Sequence, residues 1–126
     1  MWKELLFIAC GGAAGSVMRF GISSMVYNVL GRAFPYGTLT VNVAGSFLMG
    51  VMSVFLIEKF SVSTEWRAAI LIGFLGAFTT FSTFSLETMQ LIQQGELSKA
   101  GLNMLISVFS CILAIWIGFV LGKQFL

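Results

Sequence analysis

The chain contains no histidine. The usual proton shuttle near neutral pH, which is also the commonest metal ligand, is therefore missing. There is one proline, Pro35, and there are two cysteines, Cys10 and Cys111, both within apolar stretches and without CxxC spacing. That placement argues against a disulfide or a clustered metal site and for small buried thiols. Charge is also scarce. Only 10% of the 126 residues are charged, against roughly 25% in a soluble domain. The net charge of +2 is too small to suggest a nucleic-acid partner. No Ser-His-Asp set, phosphate-cradling loop or pair of deeply placed acids is present, so an enzyme is not expected.

Apolar sequence is abundant, at 58% of residues. Charge-free windows run from Leu5 to Met18, Ala33 to Ile57, Ala68 to Leu86 and Ala100 to Gly122. A spanning helix needs about 20 apolar residues. Three windows reach that length alone, and the first does so if Arg19 lies inside the span. The expectation is an all-α membrane protein, a single domain of four transmembrane helices near 5–28, 37–57, 68–92 and 100–122. A cleaved signal peptide in place of the first helix would leave the other three spans unexplained. The linkers, at Asn28 to Tyr36, Glu58 to Trp66 and Gln93 to Lys99, are too short to hold a soluble domain. Function is expected inside the membrane.

Four spans put both ends of the chain on one side. Lys3, Lys59, Arg67 and Lys123 lie there, with Arg32 and Lys99 opposite and Arg19 partly within the first span. Orientation normally follows the Lys/Arg excess. The excess here is small enough for insertion both ways, and two opposite orientations could pair head to tail. Gly11 and Gly15 give the first helix a smooth face at GxxxG spacing, which suits close backbone approach.

Polar residues interrupt the spans in a pattern. Thr38, Asn42 and Ser46 fall at i, i+4 and i+8, on one face of the second helix. Such an amide either binds another helix or faces a polar ligand. Asn103, Ser107 and Ser110 form a second stripe in the fourth helix. The third span carries Thr79, Thr80, Phe81, Ser82, Thr83, Phe84 and Ser85. Gly73 and Gly76 precede this run, and the β-branched threonines weaken a helix there. A helix broken at membrane depth is tolerated where protein or a cavity covers the freed backbone groups, and such breaks often hold ions. Phe81 and Phe84, three apart, share a face. Their ring edges carry partial positive charge, which points to a small anion. Arg19 and Glu87 are ionisable residues inside spans, where charge is costly and commonly functional. Glu87 is expected either to pair with a basic group or to remain protonated.

Three segments together carry a likeness. The run Gly11-Gly12-Ala13-Ala14-Gly15-Ser16-Val17-Met18-Arg19-Phe20 resembles the GGxxGxxxR(Y/F) element of the CrcB/Fluc fluoride channels. The run from Gly37 to Gly50 resembles their GTxxVNxxGxFxxG element, and Gly73 to Ser85 resembles their GxxGGxTTFSTFS element. Ala77 stands where many members have a second glycine. The resemblance implies an antiparallel, dual-topology homodimer in the bacterial inner membrane, with the third helix broken near the midplane. It implies passive, selective export of fluoride and resistance to it. Phe81 and Phe84 would form an aromatic box, with Asn42 as an amide donor, Thr38 nearby, and Ser82 and Thr83 flanking the box. Ser110 would be the contribution of the fourth helix, Arg19 would lie near a vestibule, and Glu87 would sit along the pore. The carbonyls of Gly76 and Thr79 would hold a structural sodium ion at the dimer centre. The rival reading is a small multidrug-type cation/proton antiporter. That reading needs an embedded acid in the first span, where the only acid is Glu4 at its start.

Overall fold

The computed structural model describes residues 1–125 and is all-helical among them. Four helices are long and apolar enough to cross a membrane: Trp2–Leu30, Tyr36–Lys59, Thr64–Gln93 and Leu97–Gln124. The first, third and fourth extend past their charge-free windows at both ends, and the second begins three residues inside its window and ends two beyond it. At about 1.5 Å per residue, a helix of 28 residues is roughly 42 Å long, so its ends reach beyond a hydrocarbon core of about 30 Å. The chain is a multi-pass membrane protein.

Small and polar residues are packed inside beside a few large apolar ones such as Leu75 and Phe78, and most large apolar side chains lie outside. Gly15, Gly45, Gly50, Ala100, Ala114 and Gly118 are buried, as are Thr38, Asn103 and Ser107. Leu6, Val17, Phe20, Ile72, Phe109 and Trp116 face outward. Lipid is as apolar as leucine, so large apolar side chains gain nothing by going inside, and small residues win at helix contacts.

Two close helix pairs organise the molecule. The first span packs on the start of the third, and the second packs on the fourth. Gly11 and Gly15 form the first contact: a Cβ on either would strike the carbonyl oxygen of Ala69 or Phe74. The GxxxG face is therefore used within the subunit. Gly50 and Gly118 make the second contact, each backed against carbonyls of the other helix at Ile115 and Phe47. The turns follow local chemistry. Gly31 takes φ 83° after the first span and its N–H caps the Tyr27 carbonyl at 2.8 Å. Pro35 immediately precedes the second helix, where its missing N–H costs nothing. Gly95 takes φ 78° between the third and fourth spans.

The third span is not uniform. Ala68–Leu75 is wound as π-helix. Gly76–Phe78 returns to α-helix, Thr79 and Thr80 are extended (φ −92°, ψ 159° and φ −153°, ψ 115°), and Phe81–Gln93 is α-helical. π-Turns and extended residues within a helix commonly mark functional positions.

Candidate functional site

Asn42 of the second span faces the extended Thr80. The Asn42 Oδ1 accepts from the Thr80 N–H at 2.7 Å, and the Asn42 Nδ2 donates to the Thr80 carbonyl at 3.1 Å. In an unbroken α-helix the Thr80 N–H would go to Gly76 four residues back. Thr80 also caps the helix that follows, its hydroxyl accepting from the Thr83 N–H at 3.1 Å. A threonine at this position is a good N-cap. Phe81 is thus the first residue of a freshly started helix, and Phe84 lies one turn on. Their ring centroids are 5.2 Å apart and tilted by 45°. Phe84 is 8% exposed and Phe81 74%.

A cavity of about 310 Å³ opens beside the rings. Asn42, Ser46, Thr79, Thr80, Ser107 and Cys111 supply its polar lining. Ser110 is not among the residues lining it. The stripe from the fourth helix continues from Asn103 through Ser107 at i+8 to Cys111, rather than at i+7. The step of four residues was the sequence signal that would have found Cys111. Ser107 donates to the Asn103 Oδ1 at 3.2 Å, the Asn103 Nδ2 donates to the Thr88 hydroxyl at 2.9 Å, and Thr88 donates to the Phe84 carbonyl at 2.7 Å.

Several hydroxyls in the Thr79–Ser85 run find partners inside their own span. Thr79 donates to the Leu75 carbonyl at 3.0 Å and Ser85 to the Phe81 carbonyl at 2.9 Å. Ser82 and Thr80 share a hydroxyl contact of 3.3 Å. Short polar side chains in helices commonly bond back in this way.

Glu87 and Thr38 belong to a second cluster. The Tyr27 hydroxyl donates to Glu87 Oε2 at 2.6 Å and lies 3.3 Å from the Thr38 hydroxyl. The partner of Glu87 is therefore a phenol of the first helix and not a basic group. Glu87 Oε1 is buried without a partner. Arg32 stacks over the Tyr27 ring, 4.5 Å from its centroid. A pocket of about 160 Å³ lies here, lined by Tyr27, Arg32, Pro35, Glu87, Gln90 and Gln94 among others. Thr38 stands with this group rather than at the larger cavity. Sequence spacing gave no route to Tyr27, since its partner lies 60 residues away. Arg19 lines neither space, and its Nε is buried with no hydrogen-bond partner.

Comparison with known proteins bears on this site. The model of the family "CrcB-like protein, Camphor Resistance (CrcB)" matches residues 6–119. The chain belongs to the CrcB family. It is 57% identical over 121 residues to a Methylococcus capsulatus protein called "Fluoride-specific ion channel FluC", covering 96% of this chain and 53% of that protein, so it spans about half that relative's length. Relatives of the same name are matched almost end to end. One from Coxiella burnetii is 48% identical (95% of this chain, 96% of the relative), and one from Magnetococcus marinus is 50% identical (95% and 98%). The CrcB match takes in both the cavity beside the paired rings and the Tyr27–Glu87 cluster.

Proposed function

We propose that the protein is a passive fluoride-selective channel, an ion conductor and not an enzyme, which exports fluoride from the cytoplasm across the bacterial inner membrane and confers fluoride resistance. The observation that carries this reading is the Phe81–Phe84 ring pair at the edge of a cavity that also holds Asn42 and the hydroxyls of Ser46 and Ser107. The reading is supported by relatives at 48 to 57% identity that carry the name of a fluoride channel. The antiporter alternative has no support from the relatives or from an acid deep in the first span.

The physical case is one of dehydration. Fluoride is small and holds its water strongly, so a path must offer replacement donors. Ring edges, hydroxyls and an amide do so without presenting a full positive charge that would trap the ion. A narrow path lined by such groups excludes chloride by size. Phe81, Phe84, Asn42, Ser82 and Thr83 lie around the proposed path, with Ser107 and Cys111 supplied by the fourth helix. Thr38 and Glu87 stand farther along it, and Arg19 attracts anions toward it.

Two copies in opposite orientations complete the channel in this reading. Phe81 is 74% exposed on the single subunit, and an ion at its edge needs a second wall. The near balance of Lys and Arg on the two sides is consistent with insertion both ways. The third helices, broken near the midplane, would then meet at the dimer centre, and the carbonyls of Gly76 and Thr79 would hold a structural sodium ion. The fit is chemical: oxygen donors suit a hard cation, and the Thr80 N–H that would normally occupy the Gly76 carbonyl is given instead to Asn42. Such an ion would supply fixed positive charge and tie the two breaks together.

The test is efflux from liposomes loaded with potassium fluoride, started with valinomycin and followed by a fluoride electrode. Potassium chloride with a chloride electrode is the control. Fast fluoride loss without chloride loss is expected. A well-folded dimer that releases neither ion would overturn the reading.

A further inference from the structure

An extended residue presents its own N–H and C=O on the same side of the chain. In a sheet, a neighbouring strand answers both. Thr80 is extended, there is no strand among the described residues, and lipid cannot answer these groups. Asn42 answers both, its carboxamide standing where a second peptide group would stand, with Oδ1 on the N–H at 2.7 Å and Nδ2 on the C=O at 3.1 Å. Few side chains could do this. Aspartate would set oxygen against oxygen at the carbonyl, serine has one functional atom, and leucine leaves both groups unpaired.

Resting on the fluoride-channel reading, we propose that Asn42 is a positioning residue for the aromatic pair, which it sets by clamping the backbone of Thr80, and not chiefly a ligand of the ion. The chain of causes is short. The clamp holds Thr80 extended, the extended Thr80 caps the helix at Thr83, and that cap starts the helix on which Phe81 and Phe84 are the first and fourth residues. The angle of the ring edges toward the cavity is therefore inherited from one amide on a different span. The acceptor oxygen of Asn42 is spent on Thr80, and one of its two N–H bonds is spent there too. At most one N–H is left for a passing ion. Three polar groups meet in the clamp at distances that leave little room for a change of size. Gly45, on the next turn of the second helix, has no side chain because a Cβ there would strike the Thr79 methyl group. The backbone of the second helix is thus brought against the break at both positions.

The experiment uses the full-length protein with ¹⁵N-labelled threonine and ring-¹³C-labelled phenylalanine, in the absence of fluoride, beside the liposome flux assay. Asn42→Ala and the near-isosteric Asn42→Asp are compared with the parent. The clamp predicts that the Thr80 amide loses exchange protection by at least about tenfold in Asn42→Ala, the loss expected for removing a hydrogen bond of about 1.4 kcal/mol, and that Asn42→Asp, which loses only the donor to the Thr80 carbonyl, keeps more of it. It also predicts that the Phe81 and Phe84 ring signals move before any ion is added, and that fluoride flux falls. Flux that falls while the Thr80 amide and both rings stay unchanged would overturn the proposal and make Asn42 an ion ligand. If the parent protein conducted no fluoride, the channel reading would fail, and the Thr80 and ring signals would still decide the clamp. If Asn42→Ala did not fold, Asn42→Asp carries the test through the ring signals, because it removes the donor to the Thr80 carbonyl while keeping the acceptor on the Thr80 N–H; rings that stay unchanged in it while flux falls would overturn the proposal.

Discussion

Replacing Tyr27 with Phe removes one oxygen from the cluster it forms with Thr38 and Glu87. That oxygen donates to Glu87 at 2.6 Å, lies 3.3 Å from the Thr38 hydroxyl, and is 3.4 Å from the Thr38 N–H. The ring itself keeps its place. It is 8% exposed, and Gly37 leaves room for it because a Cβ at that position would strike its Cε2. The loss therefore falls on hydrogen bonding and not on packing. Thr38 keeps a local alternative, since a threonine hydroxyl can turn to its own helix. Glu87 does not, because its other oxygen is already buried and unpaired.

Hydrogen bonds to a carboxyl contribute about 1.5 to 3 kcal/mol in soluble proteins when it is charged. Interhelical bonds in a membrane protein average nearer 0.6 kcal/mol, with a maximum of about 1.7. The structure favours the upper part of the second range, because the donor is short and the acceptor has no substitute. Tyr27→Phe should therefore cost about 1 to 1.5 kcal/mol, a shift of roughly five- to twelvefold in the unfolding equilibrium. Equilibrium unfolding in mixed micelles, with a double-mutant cycle against Glu87→Met, measures it. In the Glu87→Met background the same change should cost little. A coupling below about 0.3 kcal/mol, the scatter of independent sites, would refute the claim that Tyr27 holds Glu87.

Four further outcomes are expected. Phe81→Ile should abolish or strongly reduce fluoride flux with little loss of stability, because the ring is mostly exposed on the subunit; unchanged flux would refute the aromatic-edge role. Gly15→Ala should destabilise by about 1 to 3 kcal/mol through overpacking against the Phe74 carbonyl, read as a loss of folded protein on heating in detergent. A small charged thiol reagent should slow flux by modifying Cys111, which lines the cavity, and a Cys111→Ala variant should be insensitive although Cys10 remains exposed. Ser107→Ala should cost less stability than Asn103→Leu, because Asn103 bonds two helix partners and Ser107 only one; equal losses would show that the network is not ordered as described.

The spans were legible because long charge-free windows leave few alternatives, and each helix runs about one to four residues past the expected span at either end. The weakness of the third helix was legible for a local reason: paired threonines after glycines disfavour helix whatever surrounds them. Phe81 and Phe84 were placed on one face by spacing, and they are found there. The partners were not legible. Asn42 reads as a deep amide from the sequence, but whether it meets an ion or a backbone depends on how two spans are set against each other. Glu87 finds a phenol on the first helix, a pairing that no spacing encodes. Ser110 was read as the fourth-helix contribution from the i, i+4, i+7 stripe, and the residue that lines the cavity beside Ser107 is Cys111, because the rotation of the fourth helix, which spacing alone does not fix, decides between adjacent residues.

The direction of the hydrogen bonds beside the rings constrains how an anion could use them. Thr88 spends its proton on the Phe84 carbonyl, so its oxygen must accept from Asn103. That orients the Asn103 amide, and its oxygen must then accept from Ser107. The Ser107 proton is committed to Asn103, so at rest Ser107 offers lone pairs to the cavity it lines. An arriving anion has to take the Ser107 proton from Asn103, trading one hydrogen bond for another. The bond given up is long, at 3.2 Å, so the exchange costs little. The anion is the stronger acceptor because it is charged, but the gain is reduced by the Asn103 oxygen left unpaired. A site built in this way holds an ion less tightly than a free hydroxyl would, and weak sites in series are what conduction needs, since an ion that binds must also leave.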